Sequence, residues 1–218
     1  MTQSRMNSKK LTLMAMLAAM AYVAMLISRP LPAVAGFLRY DLKDVIVAIS
    51  GFLLGPAAAL AITVVVSLIE MVTIGTTGPI GLLMNVLSTS AFVLPSALMY
   101  RKDRTIKSAA LGLILGVILM TAVMLAWNYI ITPLYMKVPR EVVAGMLLPT
   151  FLPFNLVKGG LNAGITMLLY KPLSGALKKL MPASEVTPAP RRFNLAATLV
   201  SAFVVATCVV IFVLMTKK

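Results

Sequence analysis

Long apolar runs, separated by short polar or proline-containing breaks, organise this 218-residue chain. The first run spans Leu11 to Ser28 and stops before Arg29-Pro30-Leu31-Pro32. The second, Asp44 to Ile74, is too long for one straight span. Gly51 and Gly55-Pro56 break it, because proline removes a helix donor and clashes with the preceding turn. The pattern predicts a short helix over 44–54, a tight turn, and a helix over 57–74, followed by a glycine-rich turn at 75–81. Helix 82–100 follows, kinked at Pro95, then a basic loop 101–107, helix 108–131, a loop 132–148 and helix 149–170. A polar linker leads to one more uninterrupted span, 194–215. The predicted organisation is a tail 1–10, a six-helix membrane domain 11–180, a linker 181–193 and an additional transmembrane helix within 194–218.

Runs of about 20 apolar residues match bilayer-crossing helices, whereas barrel strands are roughly 9–11 residues long. The chain is 60% hydrophobic and 12% charged. The expected class is therefore an all-α, polytopic integral membrane protein. A net charge of +14 would suit nucleic acid, but the charges sit in short loops between spans, where they set orientation instead. The basic segments 1–10, 101–107 and 171–192 outweigh those at 29–43, 137–140 and 217–218. This places the N-terminus in the cytoplasm, with the terminal lysines running against the trend. The first run extends to Ile27 with no A-x-A site before the next charge, so it reads as a retained helix and not a cleaved signal.

Candidate chemistry lies in the polar residues that the spans do carry. Lys158 is the only Lys or Arg between Arg140 and Lys171. A charge at the centre of a span costs roughly 2.5–3.5 kcal/mol even on lenient scales. Asn155, Lys158 and Asn162, at i, i+3 and i+7, stack on one helix face that must point away from lipid. With the cytoplasmic N-terminus, Glu70, Asn85, Asn128, Asn155 and Lys158 all fall in the outer half of their helices. Polar groups from four helices at one level predict a cavity open to the exterior, with Trp127, Tyr40 and Tyr135 available to stack on a flat ring. The reading from residues alone leaves alternatives open. Glu70 can pair with Arg39 or Lys43, Lys158 can pair with Glu70, and the asparagines can simply join helices.

Several classes are excluded. There is no G-x-x-x-x-G-K-[ST] loop, no H-E-x-x-H and no G-x-S-x-G. His is absent and Cys208 is alone, so no metal site or disulfide framework is expected. No two acids share a level in the spans, which disfavours a proton relay. The chain reads as no enzyme, and energy for transport would come from another subunit.

Phe37-Leu38-Arg39-Tyr40-Asp41-Leu42-Lys43-Asp44 resembles the first-loop motif of the substrate-binding S components of energy-coupling-factor (ECF) vitamin transporters, in particular the riboflavin-specific RibU group. Gly51–Pro56, Gly75–Gly81, Ala91–Ala97, Asn128–Tyr135 and Pro153–Gly159 are similar to the later motifs of that series, so the resemblance covers 11 to about 178. It implies a six-helix core that captures riboflavin from outside, with a seventh C-terminal helix as a departure. It also implies, as partners, a transmembrane coupling protein and two cytoplasmic ATPases in the cell membrane. The family's flavin contacts fall on Asn128, Asn155 and Lys158. The first loop (Leu38, Tyr40, Asp41) and the 75–81 turn (Gly78, Ile80) would close the pocket, with Asn85 and Trp127 on its walls. The family's alanine docking motif on the first helix is matched by Ala15 and Ala19. Two other readings remain at this point: an S component for another vitamin or heterocycle, and a structural scaffold whose polar residues only join helices.

Overall fold

The computed structural model describes residues 8–178 and 195–217. The predicted tail 1–10 lies largely outside them, and the linker 181–193 wholly so. The helices are α1 (Ser8–Ser28), α2 (Lys43–Leu54), α3 (Pro56–Thr73), α4 (Gly78–Lys102), α5 (Ile106–Met136), α6 (Arg140–Met146), α7 (Leu152–Lys178) and α8 (Leu195–Thr216). Five residues of π-helix, Leu147–Phe151, join α6 to α7. Among the described residues, six segments are long and apolar enough to cross a membrane, counting 140–170 as one.

α2 is the exception. Its 12 residues rise about 18 Å, roughly half a bilayer crossing. Residues Lys43 to Leu53 are all buried, and α1, α3, α4 and α7 pack around it. A helix that is apolar on every side belongs in the middle of a bundle. Gly55, at φ 89°, turns the chain into α3, and Pro56 supplies a preset first helical residue.

α4 and α5 pack most intimately. A Cβ on Gly116 would meet the Phe92 carbonyl oxygen at 2.1 Å, and one on Gly112 the Ser96 Cα at 2.6 Å. This glycine pair, four residues apart on α5, lets the two backbones touch. A second pair on α7 receives α8: the same construction at Gly160 meets Cys208 Sγ at 2.8 Å and at Gly164 meets a Val205 methyl at 2.6 Å.

Three boundaries differ from the sequence expectation, one being the end of α7, which continues past Tyr170 to Lys178. Residues 132–148 are mostly helical: α5 runs through Pro133 to Met136, ends with Lys137 in the left-handed conformation, and α6 begins at Arg140. Proline does not end α5: Pro133 is buried within the helix, which runs on to Met136, and its carbonyl accepts from Val138 N at the helix end. The 75–81 turn is likewise shorter, since α4 begins at Gly78 with Pro79 in its first turn. The π-helical segment has a local cause. Pro153 has no N–H for the carbonyl of residue 149, itself a proline, and its ring would clash there, so the helix widens. The seventh predicted helix is α8, shifted by one residue from 194–215.

Candidate solute-binding cavity

The loop between α1 and α2 folds back on the bundle. Val34 and Leu38 exchange both backbone hydrogen bonds, at 2.9 and 3.0 Å, around Ala35 and Gly36 at positive φ. This small hairpin caps a cavity of about 380 Å³, within the roughly 300–1,000 Å³ of small-molecule sites. Its walls come from the end of α1, the loop, the α3–α4 turn, the start of α4, the last turns of α5 and the start of α7.

Nine of the expected site residues line this one space: Leu38, Tyr40, Asp41, Ile80, Asn85, Trp127, Asn128, Asn155 and Lys158. Tyr135 and Glu70 are there too. Gly78 is not on the wall. At φ 56° it starts α4, while Gly81, one turn on, lines the cavity. Ala15 and Ala19 lie elsewhere, exposed on the outer face of α1. The predicted polar face of α7 divides. Asn155 and Lys158 face the cavity, whereas Asn162 accepts from Tyr40 Oη at 2.7 Å and donates to the Asp41 carbonyl at 3.2 Å. Asn162 therefore holds the loop and does not line the cavity.

The two asparagines are held by their own helices. Asn128 Nδ2 donates to the Met124 carbonyl at 2.7 Å, and its Oδ1 accepts from Thr132 at 2.9 Å. Asn155 Nδ2 donates to the Phe151 carbonyl at 2.8 Å. That carbonyl ends the π-helical segment, where the widened ladder frees backbone acceptors, a feature common at functional sites. The Asn155 carboxamide oxygen takes no hydrogen bond from the described residues and is free to accept one from a solute. Trp127, Phe154, Met84 and Met124 give the cavity apolar and aromatic surface.

Charge partners bear out one alternative of the sequence reading and correct another. Glu70 pairs with Lys43, Nζ to Oε2 at 2.6 Å, and Lys43 also meets Asp41 Oδ2 at 2.7 Å. Arg39 instead donates to the Arg29 carbonyl. Lys158 does not pair with Glu70; its nearest carboxylate is Asp44 Oδ2, at 3.6 Å. Acids also do converge here. Asp44, at the start of the predicted short helix, is 0% exposed, because α2 begins inside the bundle. Burial pushes the Asp41 carboxyl up, but the ammonium groups of Lys43 and Lys158 overcome this and hold it below the usual carboxylate range. Burial, then the charges of Asp44 and Asp41, raise the Tyr40 phenol, so it stays a neutral donor to Asn162. Lys43 was named from sequence only as a partner for Glu70, and Asp44 and Thr89 were not singled out. The available signal was an ionisable pair opening a short, otherwise apolar helix.

A bundle of membrane-length helices enclosing one polar-and-aromatic cavity beneath a folded loop defines a small-molecule-binding membrane protein. Residues 9–170 match the family model for the substrate-specific component of ECF transporters, and the chain belongs to that family. It is 32% identical over 168 residues to "Riboflavin transporter FmnP" of Bacillus subtilis (strain 168), covering 71% of this chain and 86% of that protein. It is 31% identical over 181 residues to "Riboflavin transporter RibU" of Staphylococcus aureus (strain TCH60), covering 80% and 95%. A solved structure, described as "Structure and mechanism of the S component of a bacterial ECF transporter", superposes with TM-score 0.65 at 32% identity. That match covers 78% of this chain and 98% of the other. The family match therefore stops before α8.

Proposed function

We propose that this chain is the riboflavin-binding S component of an ECF-type importer, a transport subunit with no catalysis of its own. The observation that carries the reading is the α5–α7 wall, where Asn128, Asn155 and Lys158 face one cavity with Trp127 and apolar side chains around it. A flavin has one edge of carbonyls and ring nitrogens and one dimethyl-aromatic edge. Asparagine amides and an ammonium suit the first, and the aromatic and methionine surface suits the second. The two relatives named as riboflavin transporters support the same ligand. Leu38, Tyr40 and Asp41 of the first loop, with Ile80 beyond Gly78, would close over it.

In this reading the protein is a multi-pass protein of the plasma membrane. Its N-terminus is cytoplasmic, its loop faces outward, and it works with a coupling membrane protein and two ATPases. Ala15 and Ala19 lie on the exposed face of α1, where small side chains allow a partner helix to approach closely.

The test uses Trp127, the only tryptophan, as a reporter on the cavity wall. Riboflavin added to the purified protein should quench its fluorescence saturably, and Asn155→Leu and Lys158→Met should each weaken binding roughly tenfold or more, as expected when a buried polar contact is lost. Absence of quenching, tighter binding of a different vitamin, or unchanged affinity in both variants would overturn the assignment.

A further inference from the structure

Asp44 is the most deeply buried acid among the described residues, yet it is not on the cavity wall. Three side chains from two helices converge on it. Thr89 Oγ1 of α4 donates to Oδ1 at 2.6 Å, Asn162 Nδ2 of α7 donates to Oδ2 at 3.3 Å, and Lys158 Nζ of α7 lies 3.6 Å from Oδ2. It also occupies the first turn of α2, where exposed backbone N–H groups favour negative charge. These donors fix the carboxylate inside the bundle, and its orientation is set by Thr89 and Asn162, not by Lys158.

Lys158, in contrast, has one anchor among the described residues. At 3.6 Å the pair is electrostatic, beyond the 2.7–2.9 Å of a charge-assisted hydrogen bond. The ammonium can therefore lean toward Asp44 while presenting its N–H donors to the cavity it lines. A lysine side chain has four rotatable bonds and no intrinsic preference for that pose. The geometry points to Asp44 as the positioning residue for the ligand-facing ammonium: a fixed counter-charge behind Lys158 that holds it aimed at the solute. The same carboxylate reaches the closing loop through Asn162, which bonds Tyr40 and the Asp41 carbonyl. One buried acid thus links cavity wall and loop. This inference rests on the riboflavin reading of the cavity.

The experiment is a double-mutant cycle on riboflavin affinity in the full chain, with Asp44→Asn, Lys158→Met and the double variant, each checked for folding by thermal unfolding. Asparagine keeps the shape at position 44 and removes its charge. If Asp44 works through Lys158, Asp44→Asn weakens binding roughly ten- to a hundredfold in the parent and has little further effect in the Lys158→Met background. Equal losses in both backgrounds, or unchanged affinity in Asp44→Asn, would overturn the inference while leaving the riboflavin reading intact. A parent protein that does not bind riboflavin at all would remove both. Should Asp44→Asn fail to fold, the double variant decides: recovery of folding with the affinity of Lys158→Met supports the coupling, because both members of a buried pair are then gone. Failure of the double variant assigns Asp44 a structural role independent of Lys158 and refutes the inference.

Discussion

Replacing Lys43 by methionine tests how the cavity is held shut. The ammonium, 2% exposed, joins α2 to Glu70 of α3 at 2.6 Å and to Asp41 of the closing loop at 2.7 Å. Methionine fills similar space but strands both carboxylates. Breaking a buried pair from one side costs about 3–5 kcal/mol. A separate ceiling comes from neutralising one acid. Starting from an ordinary value of 3.8 for Asp41, protonation at neutral pH costs about 4 kcal/mol. The two carboxylates keep 14% and 17% exposure, so solvent in the cavity offsets part of this. The expected net loss is about 2–4 kcal/mol. It should appear as a lower unfolding temperature in detergent and faster riboflavin release, since Asp41 is in the loop.

The pH dependence supplies a sign. In the parent, the Asp41 carboxyl is held below 3.8, so its stabilisation is full above that value and lost only as pH falls through the lowered one. In Lys43→Met, burial is opposed only by Lys158 and by the residue-43 backbone N–H, which still donates to Asp41 Oδ1, so the Asp41 carboxyl rises relative to the parent and the penalty is relieved as pH falls. The stability gap between parent and variant should therefore narrow from neutral to about pH 5. A gap that stays constant over that range, or no gap at all, would refute the argument. Adding Glu70→Gln to Lys43→Met should recover part of the loss, because one stranded charge is removed.

Two further outcomes follow from packing. Gly116→Leu puts carbon where the Phe92 carbonyl oxygen sits only 2.1 Å from a Cβ, and backbone cannot step aside as a side chain can. Thermal unfolding should show about 2–3 kcal/mol of destabilisation, with weaker binding as the α4 and α5 walls part; a tolerated leucine would mean the helices are not in backbone contact. Phe212→Ala removes the edge-on contact of α8 with Tyr40, whose ring centroids are 5.9 Å apart. Such pairs contribute about 0.5–1.5 kcal/mol, so stopped-flow release of riboflavin should quicken roughly two- to tenfold. An unchanged rate would show that α8 does not brace the loop.

What the chain alone determined was its relation to the bilayer. Apolar run length set the membrane-spanning class, Gly55-Pro56 set the break between α2 and α3, and the positions of Asn85, Asn128, Asn155 and Lys158 pointed to one common cavity. These are local properties: burying apolar surface and satisfying backbone hydrogen bonds within a helix depend on neighbours in sequence. Tertiary structure decided the rest. Lys43 took Glu70 and Asp41, Lys158 took Asp44, and Asn162 turned to the loop and left its two face-mates to the cavity. It also carried α5 through Pro133 and placed α2 wholly inside the bundle. The physical reason is that a buried charge is settled by whichever opposite charge or donor another helix brings within a few ångströms. Helical periodicity gives the direction in which a side chain points, but not what stands opposite it.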